Sequence, residues 1–269
     1  MVASTGHEQA SVDGPSGPQT SVTGRLARPV PPADSPYWTF YDAVAAEQVA
    51  AWLPEQAQRI LDLSGDNGFL QQLLTAGHEV ISVQRHVDDV RQGQAGPGRL
   101  LQVVADSHSL DWLGADSVEL VLAESRSLSR CLAAEMTIEH LHRVMRPGGR
   151  LLLVVDSLAL GLALLADQGR WAELADVPAA DVVLVPDEDG TITRCFWAEE
   201  LQLLLADAGF TVDWVRTRSV LTPVTIERAL TERGPGAMRT LVRTELALAA
   251  EGGAAAAGLH LVVSARKPG

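Results

Sequence analysis

The residues best suited to chemistry lie between 59 and 86, RILDLSGDNGFLQQLLTAGHEVISVQRH. Ile60, Leu61 and Leu63 form a short apolar run bounded by turn residues, the pattern of a strand buried on both faces. Ser64-Gly65-Asp66-Asn67-Gly68 then turns the chain. Phe69, Leu70, Leu73 and Leu74 recur at helical spacing, and Gly77 stops that helix. Val80, Ile81 and Val83 give a second strand, which delivers Gln84 and Arg85. Strand, glycine turn, helix and strand in so little chain is a nucleotide-binding half-unit, because glycine lets a backbone approach a ligand closely.

This stretch resembles motif I of the class I S-adenosylmethionine-dependent methyltransferases. That pattern runs apolar-apolar-Asp-apolar-Gly-x-Gly-x-Gly, then a helix, then a Gly-His-x-Val strand ending in an acid. Asp62 and Gly68 occupy family positions, as does Gly77-His78-Glu79-Val80. Ser64 and Asp66 stand at the first two glycine positions, and Gln84 stands where the ribose-binding acid is usual. A carboxylate accepts from two ribose hydroxyls, whereas Gln84 offers one neutral carbonyl oxygen and a donor amide, so weaker binding is expected.

The rest of the chain continues the alternation. Residues 100–107 read as a third strand closed by Asp106, 118–123 as a fourth ending in Glu124-Ser125, and 128–145 as one long helix. Arg146-Pro147-Gly148-Gly149 then feeds an apolar strand over 151–155, a junction similar to the same family's. A helix over 198–208, a strand over 211–220, a helix over 239–250 and a strand over 259–265 complete the order. The resemblance implies an α/β, Rossmann-like fold with a seven-stranded, mostly parallel sheet, helices on both faces and an antiparallel last strand. It also implies roles: Asp106 and Ser107 against the adenine, Glu124 and Ser125 towards the methionine part, with Asp62, Ser64, Gly65, Asp66, Gly68 and Gln84 around the remainder.

Before this domain, residues 1–33 are rich in Ser, Gly, Thr, Pro and Gln, a composition expected to stay disordered. The domain is expected over 34–269, opening with an aromatic helix from Pro36 to about Trp52. An insertion at about 156–196 carries a short helix and a hairpin, where this family commonly builds its substrate cover.

Other chemistries find little footing. His108, His140 and His142 qualify by residue type alone. His140 and His142 stand two apart on a helix and point different ways, so one is expected to face solvent and no metal pair is indicated. Cys131 and Cys195 lack Cys-x-x-Cys spacing and read as reduced core thiols. The sequence has no Ser-His-Asp pattern, P-loop or HExxH string, so no catalytic residue is named.

Composition narrows the partners. Twenty-one Lys and Arg against 34 Asp and Glu give a net charge of −13, which opposes nucleic acid as substrate. No apolar run reaches the ~18 residues of a membrane span, and no export signal opens the chain, so a cytoplasmic location is expected. The expectation is therefore methyl transfer from S-adenosylmethionine to a small molecule. Two alternatives stand beside it. One is a relative that keeps the fold as a binding or scaffold protein, suggested by Ser64, Asp66 and Gln84. The other is an NADP-dependent oxidoreductase in which Arg85 takes the 2′-phosphate, disfavoured because SGDNG lacks Gly-x-Gly-x-x-Gly.

Overall fold

The computed structural model describes residues 30–65, 69–90, 96–187, 189–252 and 257–269. The aromatic run forms α1 (Pro36–Trp52), N-capped by the Ser35 hydroxyl, which accepts from Tyr37 N. Pro36 suits the first turn because its missing N–H has no helical partner to lose. The half-unit follows as β1 (Arg59–Asp62), α2 (Phe69–Thr75) and β2 (Glu79–Gln84). Next come β3 (Arg99–Val104), β4 (Val118–Ala123), α3 (Ala134–Val144) and β5 (Met145–Asp156). The insertion supplies α4 (Leu158–Asp167), α5 (Trp171–Asp176), β6 (Val183–Pro186) and β7 (Ile192–Cys195). The chain closes with α6 (Ala198–Asp207), β8 (Thr211–Arg218), α7 (Pro223–Arg233), α8 (Met238–Gly252) and β9 (His260–Arg266).

Seven strands pair in the order β3-β2-β1-β4-β5-β9-β8. The first five are parallel, and β9 runs antiparallel to both its neighbours, as the sequence led us to expect. Alternate side chains of the central strands feed two cores. Leu61, Val121, Leu153 and Val263 pack with Ile138, Leu141, Leu201 and Leu205 on one face. Ile60, Leu122, Val154 and Val262 pack with Val49, Trp52, Leu70 and Leu73 on the other. Helices thus cover both faces. The β6–β7 hairpin forms its own two-stranded sheet. Chain order reverses between β1 and β4, and that crevice, at the carboxyl ends of the strands, is where open α/β sheets bind ligands.

Several local expectations are corrected. The helix expected over 128–145 is a 3-10 turn at Ser127–Arg130 followed by α3. Ser129 explains the break: its hydroxyl accepts from Asp156 N at 2.7 Å and ties the turn to the end of β5. β5 itself begins at Met145, before the glycine pair. Met145 pairs with Val118, then the register jumps so that Arg150 meets Leu120, and Arg146-Pro147-Gly148-Gly149 bulges out. Gly149 is required there, because a Cβ would stand 2.8 Å from the carbonyl oxygens of Arg146 and Glu119.

The third strand stops at Val104, leaving Asp106 and Ser107 in the turn beyond it. β8 stops at Arg218, since Ser219 adopts a left-handed φ of 65°. The sequence reading missed α7, although Thr222-Pro223 is a helix-start signal: Thr222 Oγ1 accepts from Thr225 N. His140 and His142 are both half-buried. His140 Nδ1 accepts from Leu110 N, and His142 packs edge-on against Phe210. Of the N-terminal segment, residues 1–29 lie outside the described residues, while Pro31 is buried. Among the described residues no helix is long and apolar enough to cross a membrane.

Candidate binding site at the carboxyl ends of the strands

At the crevice beyond β1, β2, β3 and β4 lies a cavity of about 180 Å³. Of the residues anticipated from sequence, Ser64, Gly65, Gln84, Arg85, Ser107 and Ser125 line it. Asp66 and Gly68 lie outside the described residues. Leu63, Val83, Asp89, Ala105 and Arg130 complete the wall. None of these five carried a motif signal, but the first, second and fourth flank the strand ends already chosen.

The turn after β1 is built by short hydrogen bonds. Ser64 N donates to Asp62 Oδ1 at 2.9 Å, and the Ser64 hydroxyl accepts from Glu124 N at 3.2 Å. Ser125 Oγ returns a bond to Leu63 O at 3.1 Å, so the ends of β1 and β4 are stitched together. Ser64 needs no glycine freedom, since its φ is not positive, whereas Gly65 takes φ +64°. Among the described residues a Cβ on Gly65 would meet nothing within 4 Å.

Asp62 itself is fully buried beneath the turn and does not reach the cavity wall. Among the described residues its Oδ2 has no hydrogen-bond partner. Burial pushes its pKa up to about 6, partly opposed by the bonds from Ser64. Gln84, 3% exposed, reaches the cavity while its amide donates to Ser82 Oγ at 2.9 Å. Asp106 turns away: its Oδ1 accepts from His108 N at 2.9 Å and meets His108 Nδ1 at 3.1 Å.

Glu124 is engaged elsewhere. Both its oxygens bind the Arg218 guanidinium at 2.8 Å, with each side chain 1% exposed. Arg218 Nε donates to Gln48 Oε1 at 2.7 Å, and the guanidinium lies 5.1 Å from the Tyr41 ring centre. Glu124 and Tyr41 hold Arg218 protonated against the cost of burial. α1 is thereby clamped over the strand ends.

Beside this pair, Arg126 Nη1 donates to Asp156 Oδ1 at 3.0 Å and faces His260 Nε2 at 3.3 Å. With Nε2 accepting, His260 Nδ1 donates to Ser219 Oγ at 3.3 Å, and Tyr37 OH donates to the same hydroxyl at 2.6 Å. Burial and the two arginines keep His260 neutral, its pKa well below the usual histidine value. No local pattern signals this network, whose members come from five distant segments.

A second groove of about 470 Å³ lies under the β6–β7 hairpin and shares Arg85 and Arg130 with the first cavity. Together they fall within the roughly 300–1,000 Å³ typical of small-molecule sites. A larger groove, about 940 Å³, has its walls in α1, α8 and the turn before α8, and none of the anticipated residues lines it. Among the described residues no cluster of His, Cys, Asp and Glu could hold a metal ion.

No protein-family model and no curated protein matches this sequence. Solved structures do match. A SAM-dependent methyltransferase from Methanosarcina mazei aligns at 20% identity and TM-score 0.54, covering 82% of this chain and 97% of its own. A putative S-adenosylmethionine-dependent methyltransferase from Listeria monocytogenes aligns at 12% identity and TM-score 0.58, covering 84% and 99%. The 1,6-didemethyltoxoflavin-N1-methyltransferase of Burkholderia thailandensis, solved with 1,6-didemethyltoxoflavin and S-adenosylhomocysteine bound, aligns at 20% identity and TM-score 0.51, covering 87% and 81%. Strand order, parallel pairing, the antiparallel β9 and these similarities together establish that the chain has the fold of the class I S-adenosylmethionine-dependent methyltransferases.

Proposed function

We propose that the chain transfers a methyl group from S-adenosylmethionine to a small-molecule acceptor. The observation that carries this reading is the convergence of Ser64, Gly65, Gln84, Arg85, Ser107 and Ser125 on one cavity at the switch point of the sheet. The residues fit the cofactor. Gly65 lines the cavity without a side chain, and Gln84 reaches the cavity from the end of β2, where a ribose would be held. Asp62 and Asp106 support that loop and the adjoining turn.

When bound, S-adenosylmethionine supplies a methyl group activated on a sulfonium. Displacing it demands alignment more than acid–base chemistry. The protein's part is accordingly rigid positioning: Ser64 and Ser125 lock the ends of β1 and β4, and the hairpin groove offers room for an acceptor. The pairing of S-adenosylhomocysteine with a small molecule in the Burkholderia thailandensis enzyme is the kind proposed for this chain.

One observation favours a second reading, a binding or scaffold protein without catalysis. Glu124, at the strand end that the resemblance turns towards the methionine part, spends both oxygens on Arg218. Parallel calorimetric titrations with S-adenosylmethionine, S-adenosylhomocysteine and NADP separate the readings. Binding of the first two and not the third is expected; absence of heat with either at millimolar ligand removes the methyl-transfer reading.

A further inference from the structure

We infer that the groove under the β6–β7 hairpin holds the acceptor by an anionic group, a phosphate or carboxylate, bound between Arg85 and Arg130. This deepens the methyl-transfer reading and rests on it for the word acceptor. Both arginines line the cavity at the strand ends and the hairpin groove, so they stand at the boundary where cofactor and acceptor would meet.

The side chains on these walls differ in whether their polar groups already have partners. The described acids on these walls keep their charges while accepting from neutral donors. Asp89 Oδ2 accepts from His86 N, and Asp189 Oδ1 accepts from Thr191 N and Thr191 Oγ1. Asp187 is likewise partnered. Among the described residues neither exposed side chain, that of Arg85 or of Arg130, has a hydrogen bond or ion pair, and Arg130 acts on Asp156 and Asp189 only through space. Several less exposed guanidiniums of this acidic chain are paired, as in Arg126–Asp156, Arg194–Glu200 and Arg218–Glu124. A guanidinium is always charged and carries five donors in a planar fork, matched to a carboxylate or phosphate. Two such forks with free donors on one wall can close on one anion.

The groove also gives the rest of the ligand its character. Leu132 and Ile192, 67% and 36% exposed, stand in the same walls. A ligand with an apolar body and one anionic end fits both features.

The test uses full-length protein, alone and saturated with S-adenosylhomocysteine, titrated with phenyl phosphate, benzoate and the neutral benzyl alcohol. Phenyl phosphate or benzoate is expected to bind the saturated protein, the tighter of the two naming the anion. In Arg130→Gln, and more so in the Arg85→Gln, Arg130→Gln double variant, that dissociation constant should rise about tenfold or more, since each charge-assisted bond contributes about 1.5–3 kcal/mol. Arg130→Lys, which keeps the charge and loses the fork, should fall between. Benzyl alcohol binding should not change. Equal anion affinity in wild type and variants overturns the inference while leaving the cofactor reading intact. Displacement of phenyl phosphate by S-adenosylhomocysteine assigns the arginines to the cofactor and also overturns it. If wild type fails to bind S-adenosylhomocysteine, the methyl-transfer reading falls, and the anion titration of the protein alone still decides whether the arginines form the site.

Discussion

Arg218 at the end of β8 and Glu124 just past β4 meet through two parallel 2.8 Å bonds, buried under Tyr41 and Gln48 of α1. Breaking such a pair from one side strands a charge without solvent, which costs about 3–5 kcal/mol. Glu124→Gln should lower unfolding free energy by that amount in urea titration. Adding Arg218→Met to make the site apolar should recover most of the loss, because the desolvation cost of both ions disappears. A double variant no more stable than Glu124→Gln alone would show that the pair contributes more than its own charges.

Ser64 stands where the resembled motif has its first glycine, and restoring the glycine should weaken the protein. The hydroxyl is the acceptor for Glu124 N, and both groups are buried. Leaving that N–H without a partner costs about 1–3 kcal/mol, and glycine adds backbone entropy to the unfolded chain. A thermal midpoint for Ser64→Gly at or above wild type would contradict this account.

Asp62 predicts a pH dependence. Its folded pKa is raised from 3.8 to about 6, so its contribution is fully present below pH 3.8 and is lost as pH rises to about 6. The unfolded chain releases the proton first, and the loss amounts to about 3 kcal/mol at most. Asp62→Asn removes this slope. The stability of Asp62→Asn relative to wild type should therefore rise between pH 4 and pH 7, measured by urea midpoints without ligand. A difference that stays constant with pH would rule out an ionising Asp62.

Gln84→Glu keeps the side chain's length and replaces the amide that donates to Ser82 Oγ by an oxygen that accepts from that hydroxyl, so a charged carboxylate stands at the cavity. If a ribose binds there, S-adenosylhomocysteine should bind about tenfold tighter in calorimetry, the size of one charge-assisted bond. Unchanged or weaker binding would mean that Gln84 does not meet the ribose.

The sequence by itself determined the sheet and pointed to the strand ends where the candidate cavity lies. Apolar runs such as Ile60–Leu63 and Val118–Ala123 specify strands buried on both faces, and the Ser64–Gly68 turn between strand and helix marks the ligand end, because these signals are local in the chain. Helix breaks were less legible. The turn at Ser127–Arg130 and the early start of β5 depend on Ser129 reaching Asp156 and on Met145 pairing with Val118, contacts that periodicity does not encode. The fate of the site's charges lay further out of reach. The resemblance turns Glu124 towards the methionine part, but the fold brings Arg218, 94 residues later, onto it. Tyr37 and Ser219 meet across 182 residues, and Arg85 and Arg130 come to one wall only because β2 and β4 flank β1 in the sheet. Residue type fixes which side chains carry charge, but whether a charge is spent or available is set by its neighbours in space, and those are chosen by strand order.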